Sequence, residues 1–250
     1  MTDPDDVGNE ADVAHEPDGA NEADSGSQDP AAAVMALLAP GAPFEMADED
    51  VLGEVMQVFV QRARSLRQLL EQAGRFGDSD YAVFHNGGRR RALTFADHER
   101  RVASVVAALA DRGVGAGDRV AILAANCPEW IITFWATVSL GAVAVACKGW
   151  WTRDEIVQAL AHTTPALLVA DAKRLARLDG ADPGMPVVVI EEDFVDLEGF
   201  APDAALPDIP IDEDQPALLQ FTSGTTGRSK AAVLSRSEEH TSELQSRETI

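Results

Sequence analysis

The sequence predicts an α/β fold, a mostly parallel sheet flanked by helices. Three observations lead there. Short apolar runs at Val120–Leu123, Ala142–Cys147, Leu167–Ala170 and Val187–Ile190 have the length and composition of buried strands. Helix-start signals stand between them: Pro128 at a first helical position, and Thr152 followed three residues later by Glu155. Hydrophobic residues make up 46% of the chain, enough for a sizeable core. Strands that alternate with helices of about ten to fifteen residues are βα units of a parallel sheet.

In chain order, residues 1–30 are acidic and nearly free of large apolar side chains. Such a segment cannot bury enough surface to offset the entropy of ordering, so residues 1–44 are expected to be a disordered acidic extension. Ala31 to Phe44 is apolar but broken by Pro40 and Pro43. Val51–Ala73 is expected to be helical, from Val55, Phe59, Leu66, Leu69 and Leu70 at helical intervals. Tyr81–Phe84 and Arg91–Thr94 flank Asn86-Gly87-Gly88 and predict a hairpin. Thr94, with Asp97 three residues on, caps a helix that puts Val102, Val105, Val106 and Leu109 on one face, and Gly113 ends it. After the Gly117-Asp118 turn come the strands and helices named above, then a further strand at Ala217–Phe221. Trp130–Cys147 carries no charge over a length close to that of a membrane span. Thr133, Thr137, Ser139 and Gly141 interrupt it, and two buried elements of an α/β core are expected instead.

Charge narrows the function classes. No Lys or Arg precedes Arg62, while fifteen Asp and Glu do; the rest holds 27 acids against 20 bases within a total of −22. No basic stripe offers an electrostatic footprint for nucleic acid. Two cysteines, Cys127 and Cys147, are too few for a disulfide scaffold, and the five histidines show no metal-ligand spacing. With no basic-then-apolar signal at the start, a cytoplasmic protein with reduced thiols is expected.

The chemistry is concentrated in Phe221-Thr222-Ser223-Gly224-Thr225-Thr226-Gly227-Arg228-Ser229-Lys230. Glycines let the backbone approach a polyanion and turn its N–H groups inward. Hydroxyls add donors, and Lys230 adds a compact positive charge. The competing reading is a polar loop between two strands. A Walker loop does not fit, because Ser229 stands where its second glycine belongs and Ala231 where its magnesium-binding hydroxyl belongs.

The string resembles the T-S-G-T-T-G-x-P-K-G signature of the adenylate-forming superfamily, which includes acyl-CoA synthetases. Thr222 through Gly227 and Lys230 match it; Ser229 replaces the usual proline and Ala231 the usual glycine. Gly117-Asp118-Arg119-Val120-Ala121-Ile122 and Asn126-Cys127-Pro128-Glu129-Trp130 are similar to an early run of the same enzymes, and Gly141–Val145 to the strand after it. Cys147-Lys148, before Gly149-Trp150-Trp151, departs from that pattern, and the two tryptophans are expected to pack at a strand-to-helix corner. Residues 70–235 thus resemble the start of the large N-terminal domain of an adenylate-forming enzyme, and residues 45–235 are expected to form that partial domain, its sheet incomplete. Residues 236–250 resemble a translated sequencing adapter and are expected to be foreign to the protein.

The resemblance implies a ligase that converts a small carboxylic acid to an acyl-adenylate with ATP and passes the acyl group to coenzyme A. It implies that Thr222, Ser223, Gly224, Thr225, Thr226, Gly227 and Lys230 hold the β- and γ-phosphates, and that Thr222 is a ligand of Mg2+. It assigns no catalytic residue within these 250, which are expected to be inactive alone. The alternative is a non-catalytic α/β nucleotide-binding or interaction module that carries the loop.

Overall fold

A computed structural model describes residues 29–86, 88–222 and 230–235. Its centre is a six-stranded sheet of β5 (Arg119–Leu123), β6 (Val143–Ala146), β7 (Leu167–Ala170), β8 (Val187–Val189), β9 (Pro216–Phe221) and β10 (Ala231–Ser235). The spatial order is β10-β9-β6-β5-β7-β8, and every neighbouring pair is parallel except β9 with β10. The mostly parallel sheet read from the sequence is therefore present, with one antiparallel edge.

Alternation along the strands sorts the core into two faces. Val120, Leu167, Val169 and Val188 pack with α3 (Phe95–Asp111), α4 (Pro128–Ser139) and α7 (Phe194–Glu198). Ala121, Leu123, Val145, Leu168 and Leu219 pack on the other side with Ile156 and Leu160 of α5 (Arg153–Thr163). The four residues assigned to one face of α3 are all buried, and Thr94 caps it, its hydroxyl accepting from the Asp97 amide at 3.1 Å. The capping box on α5 is also present, with Glu155 accepting from the Thr152 amide and hydroxyl at 2.8 Å each. Gly113 and Gly141 take positive φ just after α3 and α4, where a side chain would be strained.

The uncharged stretch Trp130–Cys147 divides into most of α4 and all of β6. Thr133 and Thr137 donate to the carbonyls of Glu129 and Thr133, both at 2.7 Å, so their hydroxyls are satisfied inside the helix. Among the described residues no helix is long and apolar enough to cross a membrane.

The N-terminal part differs from expectation. Pro30–Leu38 forms α1, capped by Asp29, within the stretch assigned to the extension; residues 1–28 lie outside the described residues. Val51–Phe59 is not helical: β1 (Met46–Val51) and β2 (Glu54–Phe59) form an antiparallel hairpin, and only Leu66–Ala73 (α2) is helix. The turn decides it. Leu52 and Gly53 both adopt positive φ, at 54° and 87°, and Asp50 accepts from the Gly53 amide at 2.9 Å. Two consecutive positive φ angles make a tight hairpin turn that suits strand twist. The second hairpin, β3 (Asp80–Asn86) with β4 (Arg89–Thr94), lies where its turn residues placed it.

Candidate functional site

β9 runs parallel to β6, so its carboxyl end lies with those of β5, β6 and β7. β5 leads to β6 on one side, whereas β7 and β8 lie on the other. The crest above these strand ends is where open α/β sheets bind ligands. β9 reaches it, turns, and returns as β10, with Phe221 opposite Ala231.

Thr222 and Lys230 close the neck of that turn. The Thr222 amide donates to the Lys230 carbonyl at 2.9 Å and its hydroxyl to the same oxygen at 3.3 Å. Both residues are exposed. The Thr222 hydroxyl oxygen keeps lone pairs that can accept or ligate a cation, and the Lys230 ammonium is open to an anion. Ser223, Gly224, Thr225, Thr226 and Gly227 lie outside the described residues, as do 236–250. The hairpin thus brings Thr222 and Lys230, eight positions apart, to one point. Ala231 is buried in β10 without positive φ, so extended strand accommodates it where the family signature has glycine.

The strand below this neck is fixed by an aromatic pair. Trp151, 2% exposed, meets Phe221 edge-on, with ring centroids 4.7 Å apart. Trp150 is 77% exposed, so the expected packing of both indoles holds for one. Arg177 donates to the carbonyls of Gly149 at 2.6 Å and Trp151 at 3.2 Å, which pins the turn after β6.

The sequence reading missed a second tie at the crest. Asp171, just past β7, accepts from the Ala125 amide beyond β5 at 2.8 Å. It also accepts from the Arg174 amide at 2.8 Å and guanidinium at 2.7 Å. One carboxylate therefore joins the ends of β5 and β7 across the point where strand order reverses. An aspartate directly after a buried strand, three residues before an arginine, was the available signal. Burial pushes the Cys147 thiol below the crest up to about 12, so it is not a thiolate nucleophile at neutral pH. Among the described residues no group of three or more His, Cys, Asp or Glu could hold a metal ion.

A mostly parallel α/β sheet, with Thr222 and Lys230 brought together where β9 and β10 pair at its carboxyl crest, defines the fold class. The family model described as AMP-binding enzyme matches residues 69–247. The chain belongs to that family, within the adenylate-forming superfamily. The match continues past Ser235, the sequence-based boundary of the domain.

Proteins named as CoA ligases and as a CoA synthase are similar to part of the chain. The chain is 32% identical over 165 residues to 4-coumarate–CoA ligase 2 of Oryza sativa subsp. japonica, covering 58% of this chain and 29% of that protein. It is 36% identical over 155 residues to a feruloyl-CoA synthase of an Amycolatopsis species, covering 61% and 30%. With a crotonobetaine/carnitine–CoA ligase of Salmonella arizonae the identity is 29% over 185 residues, covering 68% and 36%. The chain spans about a third of the length of these curated relatives. Among solved structures, the fatty acyl-adenylate ligase from L. pneumophila in complex with acyl adenylate and pyrophosphate superposes with a TM-score of 0.60 at 19% identity, covering 70% of this chain and 31% of that one. VinN in complex with 3-methylaspartate gives 0.62 at 22%, covering 71% and 50%. Identities this low establish a shared fold.

Proposed function

We propose that the chain supplies the triphosphate-binding part of an AMP-forming acyl-CoA ligase. The observation that carries the reading is the hairpin neck: Thr222 and Lys230 are held together at the carboxyl crest of the sheet, bracketing the family's signature string. In the first half-reaction a carboxylate oxygen attacks the α-phosphorus of ATP, the bond to the β-phosphate oxygen breaks, and pyrophosphate leaves. Two anions meet in that step, so the protein must supply positive potential. Lys230 lies at the neck to neutralise the β- and γ-phosphates, with the amides of 223–227 and the hydroxyls of Thr222, Ser223, Thr225 and Thr226 as further donors. Mg2+ bound to the triphosphate would share that charge, and Thr222 is the proposed protein ligand. In the second half-reaction the coenzyme A thiol displaces AMP from the acyl-adenylate.

Hydroxycinnamate-type and small aliphatic acids are both represented among the relatives' names, and either class suits the proposal. The test is acid-dependent exchange of labelled pyrophosphate into ATP, measured on a chain continued through the remaining ligase domains. Exchange above background with one of these acids is expected. ATP hydrolysis indifferent to any acid, or binding of ATP with no exchange, would instead favour a non-catalytic nucleotide-binding module.

A further inference from the structure

The hairpin that carries Thr222 and Lys230 is reached by an unusual path. From β8, at one edge of the sheet, the chain runs through α7, which packs on the face that holds α3, and re-enters the sheet as β9 next to β6. It must pass β7, β5 and β6, about 19 Å at the usual strand spacing. Residues 199–215 make the crossing without helix or strand. Where they stop sets where β9 starts.

Three arginines from one short stretch, Arg62, Arg64 and Arg67, hold that crossing. Arg67 donates to the Pro207 carbonyl. Glu213, three residues before β9, receives Arg62 Nε at 3.1 Å and Arg62 Nη2 at 2.8 Å, and also Arg64 Nη1. Arg62 donates as well to Glu49 at 3.2 and 2.7 Å and to the Phe59 carbonyl at 2.7 Å. All five of its N–H groups are therefore committed. Its side chain is 2% exposed, against 16% for Glu213. Two forked carboxylate pairs on one buried guanidinium fix both distance and angle, which a lysine ammonium cannot reproduce. The two carboxylates balance the two guanidinium charges, so the cluster is satisfied as a unit; the guanidinium bonds of Arg62 and Arg64 hold the Glu49 carboxyl down at about 2.

We propose that Arg62 is a positioning residue: through Glu213 it fixes the entry to β9 and so holds the β9–β10 hairpin that presents Thr222 and Lys230. Its link to catalysis rests on the nucleotide reading of that hairpin. Residues 46–64, which lie before the family match begins at residue 69, thus act on the site from outside it. The simpler alternative is that Arg62 only fastens the β1–β2 hairpin to the body.

Hydrogen exchange on the 250-residue chain separates the two. In Arg62→Lys, amides of 217–222 and 231–235 are expected to exchange about tenfold faster or more, the loss typical of a charge-assisted pair. Amides of 119–123 and 167–170 should keep their wild-type rates. Glu213→Gln should reproduce the pattern with Arg62 and Glu49 still paired, and it serves if Arg62→Lys does not fold. Unchanged exchange in the β9–β10 hairpin, or an equal rise in every strand, would overturn the proposal. A parallel measurement with MgATP on the wild-type chain tests the nucleotide reading by itself: no protection of Thr222 or Lys230 would count against that reading and leave the positioning role standing.

Discussion

Lowering the pH from 7 to 5 should cost the fold about 2 kcal/mol through a single buried residue, His98. Its side chain, on α3, is 1% exposed. It stacks on Tyr81 with ring centroids 4.3 Å apart, and it meets Trp135 edge-on at 6.2 Å. Nε2 has no hydrogen-bond partner among the described residues. Burial among these rings disfavours the imidazolium and pulls the pKa down from 6.5 to about 4, against a smaller opposing pull from the Asp97 carboxylate. Because the folded value lies below the unfolded one, the unfolded chain binds the extra proton between these limits. Stability is complete above pH 6.5 and falls as the pH drops towards 4. At about 1.4 kcal/mol per pH unit, the full loss is about 3 kcal/mol, of which about 2 kcal/mol has gone by pH 5. Carboxylates titrate in the same range, so the assay is a comparison. Urea unfolding at pH 7 and pH 5 is measured for the wild type and for His98→Phe, which keeps an aromatic ring against Tyr81. The wild type should lose about 2 kcal/mol more than the variant over that interval. Equal losses, or an imidazole titrating near 6.5 by NMR in the folded protein, would refute the reasoning.

Two further outcomes follow from the fold. Burial holds the Cys127 and Cys147 thiols up at about 12, so both should react with a thiol reagent at pH 8 far more slowly in the folded than in the urea-unfolded chain; equal rates would contradict their environment. Deleting residues 1–28, acidic and poor in apolar side chains, should leave the thermal midpoint within about a degree or two of the intact chain; a larger drop would mean that they pack.

Much of the fold was legible because local signals and burial agreed. The capped helix α3 and the β5-α4-β6-α5-β7 run follow from apolar runs, Pro128, the Thr152–Glu155 box and the two glycines that close α3 and α4. The error at Val51–Phe59 arose because Val55 and Phe59 are spaced to suit one face of a helix. The signal that wins there is a two-residue turn, Leu52-Gly53, between β-branched and apolar residues. Short α6 (Ala172–Leu175) and α7 went unread, since five residues or fewer carry no usable period. β10 was hidden for another reason: its pairing with β9 is a contact across the signature loop, which composition does not encode. At the site, the loop chemistry was readable as a string, and the pairing of Thr222 with Lys230 appeared only in the hairpin geometry. The Arg62–Glu213 contact spans 151 positions and leaves no local trace.

The most direct measurement compares the two half-reactions in Lys230→Ala, made in a chain continued through the remaining ligase domains. The substitution removes the ammonium at the hairpin neck and leaves the Thr222-to-Lys230 backbone bond in place. A charge-assisted hydrogen bond typically contributes about 1.5–3 kcal/mol, so acid-dependent pyrophosphate exchange should fall about ten- to a hundredfold, mainly through ATP. Thioester formation from supplied acyl-adenylate and coenzyme A, in which no triphosphate takes part, should stay within about twofold of wild type. Equal loss in both half-reactions, with a lowered melting temperature, would assign Lys230 to folding and contradict a triphosphate site at this hairpin.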